Sequence, residues 1–152
     1  MLSFSRNMTK ISSEDVHREV QRFWAILSGN LPDKLEEMYS PTAIVFTGKA
    51  KRSESGKLMA VRRSRQISGP ALSSKAEVGS IDVQILGPDV AIAAYTYSFN
   101  THKILANGSK VQINTPFGRA TQIFHRGEDG ALRIVHEHLS AAAPPAMEKA
   151  GE

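Results

Sequence analysis

The sequence contains no cysteine, and that absence excludes disulfides, thiolate metal sites and a cysteine nucleophile together. It has no apolar run near the roughly 18 residues that cross a bilayer. Its first ten residues, Met1 to Lys10, are polar and lack the apolar centre of a secretory leader. These absences point to a cytoplasmic protein with no membrane partner. Charge of one sign is not in large excess either: nineteen Lys and Arg against fifteen Asp and Glu give +4. The densest basic cluster is Lys49, Lys51, Arg52, Lys57, Arg62, Arg63 and Arg65. No aromatic interleaves it, so it reads as a solvated helix face and not as a nucleic-acid surface. There is no internal repeat, no Ser/His/Asp elbow, no phosphate loop and no HExxH. Nothing in the chain calls for a cofactor.

What is present is enough for one domain. The chain has 152 residues, 41% hydrophobic and 22% charged, which suffices to bury a core and is not a disordered composition. Val16, Val20, Phe23, Trp24 and Leu27 recur at helical spacing, with Ser12 or Ser13 as cap, Glu14 and Asp15 at the positive end, and Gly29 and Asn30 as stop. A second short helix follows, with Leu31, Leu35 and Met38 on one side, Pro32 in its first turn, and Pro41 ending it. Ala43 to Thr47 reads as a strand. A third helix is expected from about Ser55, carrying Leu58, Met59 and Val61. Ser68 to Ser74, with Gly69 and Pro70, reads as a loop.

From Lys75 the pattern is strand and turn. Val78, Ile81, Val83 and Ile85 lead to a turn at Gly87, Pro88 and Asp89. Val90 to Thr101 is a long β run, and Asn107-Gly108 marks a hairpin. The strand over Lys110 to Arg126 should break at Pro116-Phe117-Gly118. After a turn at Gly127 to Gly130 comes a last strand, Leu132 to Ser140. The folded domain is expected over 12–143, with flexible termini at 1–11 and 144–152. Three helices followed by consecutive antiparallel strands predict an α+β fold, its strongly curved sheet wrapped around the helices with a cleft in the concavity.

Several local motifs carry a family resemblance. They are Phe23-Trp24 before Gly29-Asn30, Met38-Tyr39-Ser40-Pro41-Thr42-Ala43, and Gly87-Pro88-Asp89-Val90-Ala91. The end of the chain adds Arg119-Ala120-Thr121, Phe124-His125-Arg126, Asp129-Gly130 and Ile134-Val135-His136-Glu137-His138-Leu139-Ser140. In this order they resemble the SnoaL-like members of the nuclear-transport-factor-like (ketosteroid isomerase-like) superfamily. The terminal stretch is also similar to the association domain of calcium/calmodulin-dependent protein kinase II. The resemblance implies a cone-shaped roll. It also implies one of two functions: a cleft binding a small organic molecule, with isomerase, cyclase or dehydratase chemistry, or a non-catalytic oligomerisation hub. It does not transfer the relatives' chemistry. The isomerase's catalytic aspartate falls at about Thr47, and the hub's charged pocket positions fall at Val45, Tyr97, Gln122 and Leu139, so a largely apolar ligand is expected.

Three groups of residues are candidates for chemistry. Glu137 alternates onto the same face as Val135 and Leu139; facing the cleft with Tyr97 and Gln122, it would be the one carboxylate there and a general base. Its competing role is an ion pair with Arg119, Arg126 or Arg133. His136 and His138 share the opposite side of their strand. They are read chiefly as structural, with an imidazole acid/base as a catalytic alternative and a metal site with His125 as a weaker one. Tyr95, Tyr97 and Phe99 line one face of the long strand. The expected ligand wall comprises Trp24, Tyr39, Val45, Tyr95, Tyr97, Gln122, Phe124 and Leu139. A homodimer is expected because Ile92, Ala94, Ile123 and Ile134 are assigned to the outer sheet face, where they would otherwise form a large exposed apolar patch.

Overall fold

The first helix starts where its serines place it. In the computed structural model, which describes residues 10–29, 31–47, 54–55, 72–114 and 117–141, α1 covers Ser13–Ser28. The Ser12 hydroxyl accepts from the Asp15 N–H, and the Asp15 carboxylate accepts from the Ser12 N–H. This reciprocal cap satisfies two otherwise orphaned donors and contributes about 1 kcal/mol. The apolar stripe buries Val16, Val20, Phe23, Trp24, Ile26 and Leu27. The second helix, α2 (Pro32–Glu37), begins at its proline, where a missing N–H costs nothing. Leu35 and Met38 are buried. Leu31, expected beside them, is the N-cap and is exposed.

The strands are β1 (Tyr39–Thr47), β2 (Glu54–Ser55), β3 (Leu72–Val78), β4 (Asp82–Ile85), β5 (Val90–Ile104), β6 (Lys110–Asn114), β7 (Phe117–Arg126) and β8 (Leu132–Ala141). They form a sheet in the order β2-β1-β8-β7-β5-β3, with β4 and β6 also paired to β5. The length of β5 makes this possible. One of its edges takes β7 and then β6, and the other takes β4 and then β3. Register shifts between Thr101 and His102 and between Ile123 and Phe124 mark bulges, which bend strands and increase their twist. The curved sheet and the helices close on one core of Phe23, Trp24, Leu35, Met38, Val45, Tyr95, Phe99, Phe124 and Ile134, among others.

The α+β roll expected from the sequence is therefore the fold observed, with local differences. The sheet is mixed, because β1 runs parallel to β8. β1 opens at Tyr39 and not at Ala43, and β3 begins at Leu72, inside the expected loop. Ser55, the expected start of a third helix, ends β2, paired with Ile44 of β1. Leu58, Met59 and Val61, the basic cluster Lys49 to Arg65, Pro116, and the segments 1–9 and 142–152 lie outside the described residues.

Two local features of the sheet decide which side chains face inward. Ile134 pairs with Phe124, while His136 pairs with Ile123, so β8 has an extra residue at this point. That bulge turns Ile134 into the core, where it is fully buried; it does not lie on the outer face, and Val135 does not share the inner face as strict alternation requires. Phe117 and Gly118 sit inside β7, with Gly118 paired to Tyr97. A Cβ on Gly118 would stand 2.5 Å from the Tyr97 hydroxyl and 2.7 Å from the Ser140 carbonyl oxygen. The missing side chain lets the Tyr97 ring lie over β7.

Candidate functional site

The inner face of the roll holds a chain of hydrogen bonds that crosses the core. Trp24 Nε1–H on α1 donates to the Tyr95 hydroxyl on β5 at 2.9 Å. Tyr95 donates to Gln122 Oε1 on β7 at 2.6 Å, and Gln122 Nε2 donates to Glu137 Oε2 on β8 at 2.8 Å. From β1 the Tyr39 hydroxyl donates to Glu137 Oε1 at 2.9 Å, and its distance to Oε2 is 3.1 Å. Sheet register explains the meeting: Gln122 and Val45 are the partners of Glu137 on its two neighbouring strands. Tryptophan N–H can only donate, and the Tyr39 hydroxyl and the Gln122 amide both donate to Glu137. The donors therefore point one way along the chain and converge on Glu137.

Burial makes this cluster energetically significant. Gln122 and Glu137 have no exposed surface, and Val45, Phe124, Ile134 and Leu139 are buried around them. Taking a carboxylate out of water costs several kcal/mol, which hydrogen bonds offset only in part. Trp24 is walled by aromatic rings: Tyr97 at 4.5 Å between centroids, Phe99 at 6.1 Å, Tyr95 at 6.4 Å, and Phe23 at 5.2 Å edge-on. The two ends of the chain both reach surface recesses. Tyr39 lines one of about 420 Å³ with Asp33, Glu36, Glu37, Ser40 and Pro41. Trp24 lines another of about 210 Å³ with Gln21, Ala25, Ser28, Ala76 and Val78.

The sheet's outer face is different in character. Across four strands the register sets two rows side by side: Ile44, His136, Ile123 and Ile92, then Phe46, His138, Thr121 and Ala94. Ile44 is 52% and Phe46 38% exposed. The Phe46 ring lies 6.3 Å from the His136 ring and 6.1 Å from that of His138. His125 pairs with Arg133, one row away from His136, and among the described residues no three His, Asp or Glu side chains form a candidate metal site.

The residues expected to face the concavity do come together there: Trp24, Tyr39, Val45, Tyr95, Gln122, Phe124 and Leu139 are buried on the inner side with Glu137, and Tyr97 is partly buried beside Trp24. His136 and His138 are on the far side of the sheet and do not join Glu137. Arg126 pairs with Asp15 and Arg133 with Asp129. Sequence reasoning placed Tyr39 in the ligand wall and did not foresee its hydroxyl as a donor to Glu137. The parallel pairing of β1 with β8, which places it there, leaves no local signal.

Two carboxyls on α1 are shifted by their surroundings. Burial holds the Glu19 carboxyl above its ordinary value, opposed by the Arg22 guanidinium; Arg22 is 3.5 Å away, yet Glu19 Oε2 receives no hydrogen bond. Hydrogen bonding from the Ser12 backbone lowers Asp15, and Arg18 and Arg126 assist. Among the described residues no helix is long and apolar enough to cross a membrane.

No protein-family model matches the chain, and no curated protein matches it in sequence. Solved structures do match in shape. A Xanthomonas campestris protein provisionally assigned as a calcium/calmodulin-dependent protein kinase II association domain superposes with a TM-score of 0.69 at 20% identity, over 90% of this chain and 91% of that one. A nuclear transport factor 2-like protein from Salmonella enterica gives 0.68 at 16% identity, over 90% and 94%. A provisional scytalone dehydratase from Novosphingobium aromaticivorans gives 0.70 at 11% identity, over 84% and 82%. At these identities the likeness concerns fold alone, and the chain has the nuclear transport factor 2-like fold.

Proposed function

We propose that the protein binds a small, largely apolar organic molecule in the concavity of the sheet, where the buried side chains around Glu137 part to admit it, with the ligand's polar end at Glu137. The observation that carries this reading is the fully buried Glu137 carboxylate, held by Tyr39 and Gln122 among apolar side chains. A core built for stability alone has little to gain from such a group, which makes Glu137 the candidate for the ligand's polar contact. In the proposed chemistry Glu137 takes a proton from carbon or hydroxyl and returns it at a neighbouring position. To polarise a substrate carbonyl, the Tyr39 and Tyr95 hydroxyls turn their protons from Glu137 and Gln122 to the ligand when it enters. This is isomerase, cyclase or dehydratase chemistry without a cofactor, and the likeness to a provisional scytalone dehydratase supports the class.

The chain's one tryptophan lies in the network, so its emission reports on occupancy. A panel of cyclic enones, phenols and polycyclic ketones, titrated against Trp24 fluorescence, is expected to give saturable changes, and Glu137→Gln to weaken the ligands that respond. Failure of every compound to perturb Trp24, or equal affinity in Glu137→Gln, would sink the proposal.

A second reading is self-association through the outer face. Exposed Ile44 and Phe46 continue the apolar rows across β8, β7 and β5, and the likeness to an association domain supports it. A homodimer by sedimentation velocity, reverting to monomer in Phe46→Glu, is the expected result.

A further inference from the structure

We propose that a second copy of this chain docks on the outer face of β1, β8, β7 and β5 only while His136 and His138 are uncharged. The proposal rests on the self-association reading and adds its control by pH. The two central rows consist of Ile44, Ile123, Ile92, Phe46, Thr121 and Ala94 around these two imidazoles, and hold no carboxylate. The charged groups stand at the border: Asp82 beside Ala94 on β4, Arg119 beside Thr96 on β7, and His125 beside Arg133.

A partner of strongly single charge finds no match on such a surface. A second copy does, because a two-fold contact sets the same apolar rows against each other, and the border carries both signs. Histidine changes charge between about pH 5 and 8. When neutral, His136 and His138 sit against the Phe46 ring as part of the apolar rows. Once protonated, the two histidines of each copy bring four positive charges to a face that supplies no anion in its central rows. Desolvating unpaired charge opposes association.

Sedimentation velocity at micromolar concentration, at about pH 8 and about pH 5.5, tests the device. The wild-type dimer is expected to weaken by at least about tenfold at the lower pH, a difference of about 1.4 kcal/mol. His136→Gln/His138→Gln should dimerise equally at both. Because His136 is partly buried, the single variant His138→Gln at the exposed position serves as the check on folding, and it should lose part of the pH dependence. A monomer at about pH 8 overturns self-association itself. A dimer equally tight at both pH values overturns only the histidine control, as does an undiminished pH response in the double variant.

Discussion

Gln122 and Glu137 face each other across β7 and β8, both without solvent exposure, with the amide Nε2 2.8 Å from the carboxylate. The pair shares its acceptor with Tyr39, so it responds in distinct ways to substitution. Glu137→Gln keeps the shape and an acceptor oxygen. Glu137→Leu removes the acceptor that Gln122 and Tyr39 use and leaves buried donors behind, at a cost of about 1–3 kcal/mol beyond that of the glutamine variant. Combining it with Tyr39→Phe removes one of those donors and should recover part of the loss, while Gln122 is kept because its Oε1 accepts from the Tyr95 hydroxyl. Urea unfolding of the three variants measures this. A single Glu137→Leu more stable than wild type contradicts it.

Gly118 is where the strand makes room for an aromatic ring. Gly118→Ala places a methyl group against the Tyr97 hydroxyl and the Ser140 carbonyl. The ring must then shift off β7 and disturb its contact with Trp24. The expected cost is about 1–3 kcal/mol, as for overpacked cores, accompanied by a change in tryptophan emission. Unaltered stability and emission together would show that Tyr97 has another place to go.

Glu19 contributes against stability at neutral pH. Burial raises its carboxyl above the ordinary 4.5, so the folded state holds the proton more firmly than the unfolded chain. The protonated group's contribution is full below the ordinary value and is lost as pH rises through the raised one. Glu19→Gln should therefore raise Tm near neutral pH, with a gap over wild type that shrinks as pH falls through the raised value and is smallest below 4.5. Thermal unfolding across that range is the measurement; a constant or inverted gap contradicts the assignment.

Asp129 behaves in the opposite sense. Its hydrogen bond with Arg133 in the turn before β8 lowers the carboxyl to about 2. What it contributes is present above the ordinary value of 3.8 and lost as pH falls through about 2. Carboxyl carbon shifts in an NMR titration should show Asp129 ionised well below the other exposed aspartates. Asp129→Asn should change stability little, because exposed ion pairs are worth little. A midpoint near 3.8 would mean the Arg133 contact does not persist in solution.

Much of the interior was legible in the sequence. The alternation of Tyr95, Tyr97 and Phe99 and of Glu137 and Leu139, with the resemblance that put Gln122 at a pocket position, assigned an inner face that the sheet keeps. Ile134 and Val135 broke the same rule, since the bulge beside His136 adds a residue without a glycine or proline to announce it. Glycine at 118, read as part of an interruption, instead accommodates Tyr97, a partner 21 residues away in sequence.

By itself the sequence determined the first helix and its serine cap, the start of the second at Pro32, the strand-rich second half and much of the inward set of the long strands. These follow from periodicity and backbone preference, which act over a few residues. The tertiary structure alone decided that β1 lies parallel to β8, that Tyr39 reaches Glu137 across 98 positions of chain, and that the two histidines flank Phe46 outside the roll. Such relations depend on strand order and register, which are set by how distant segments bury one another's apolar faces.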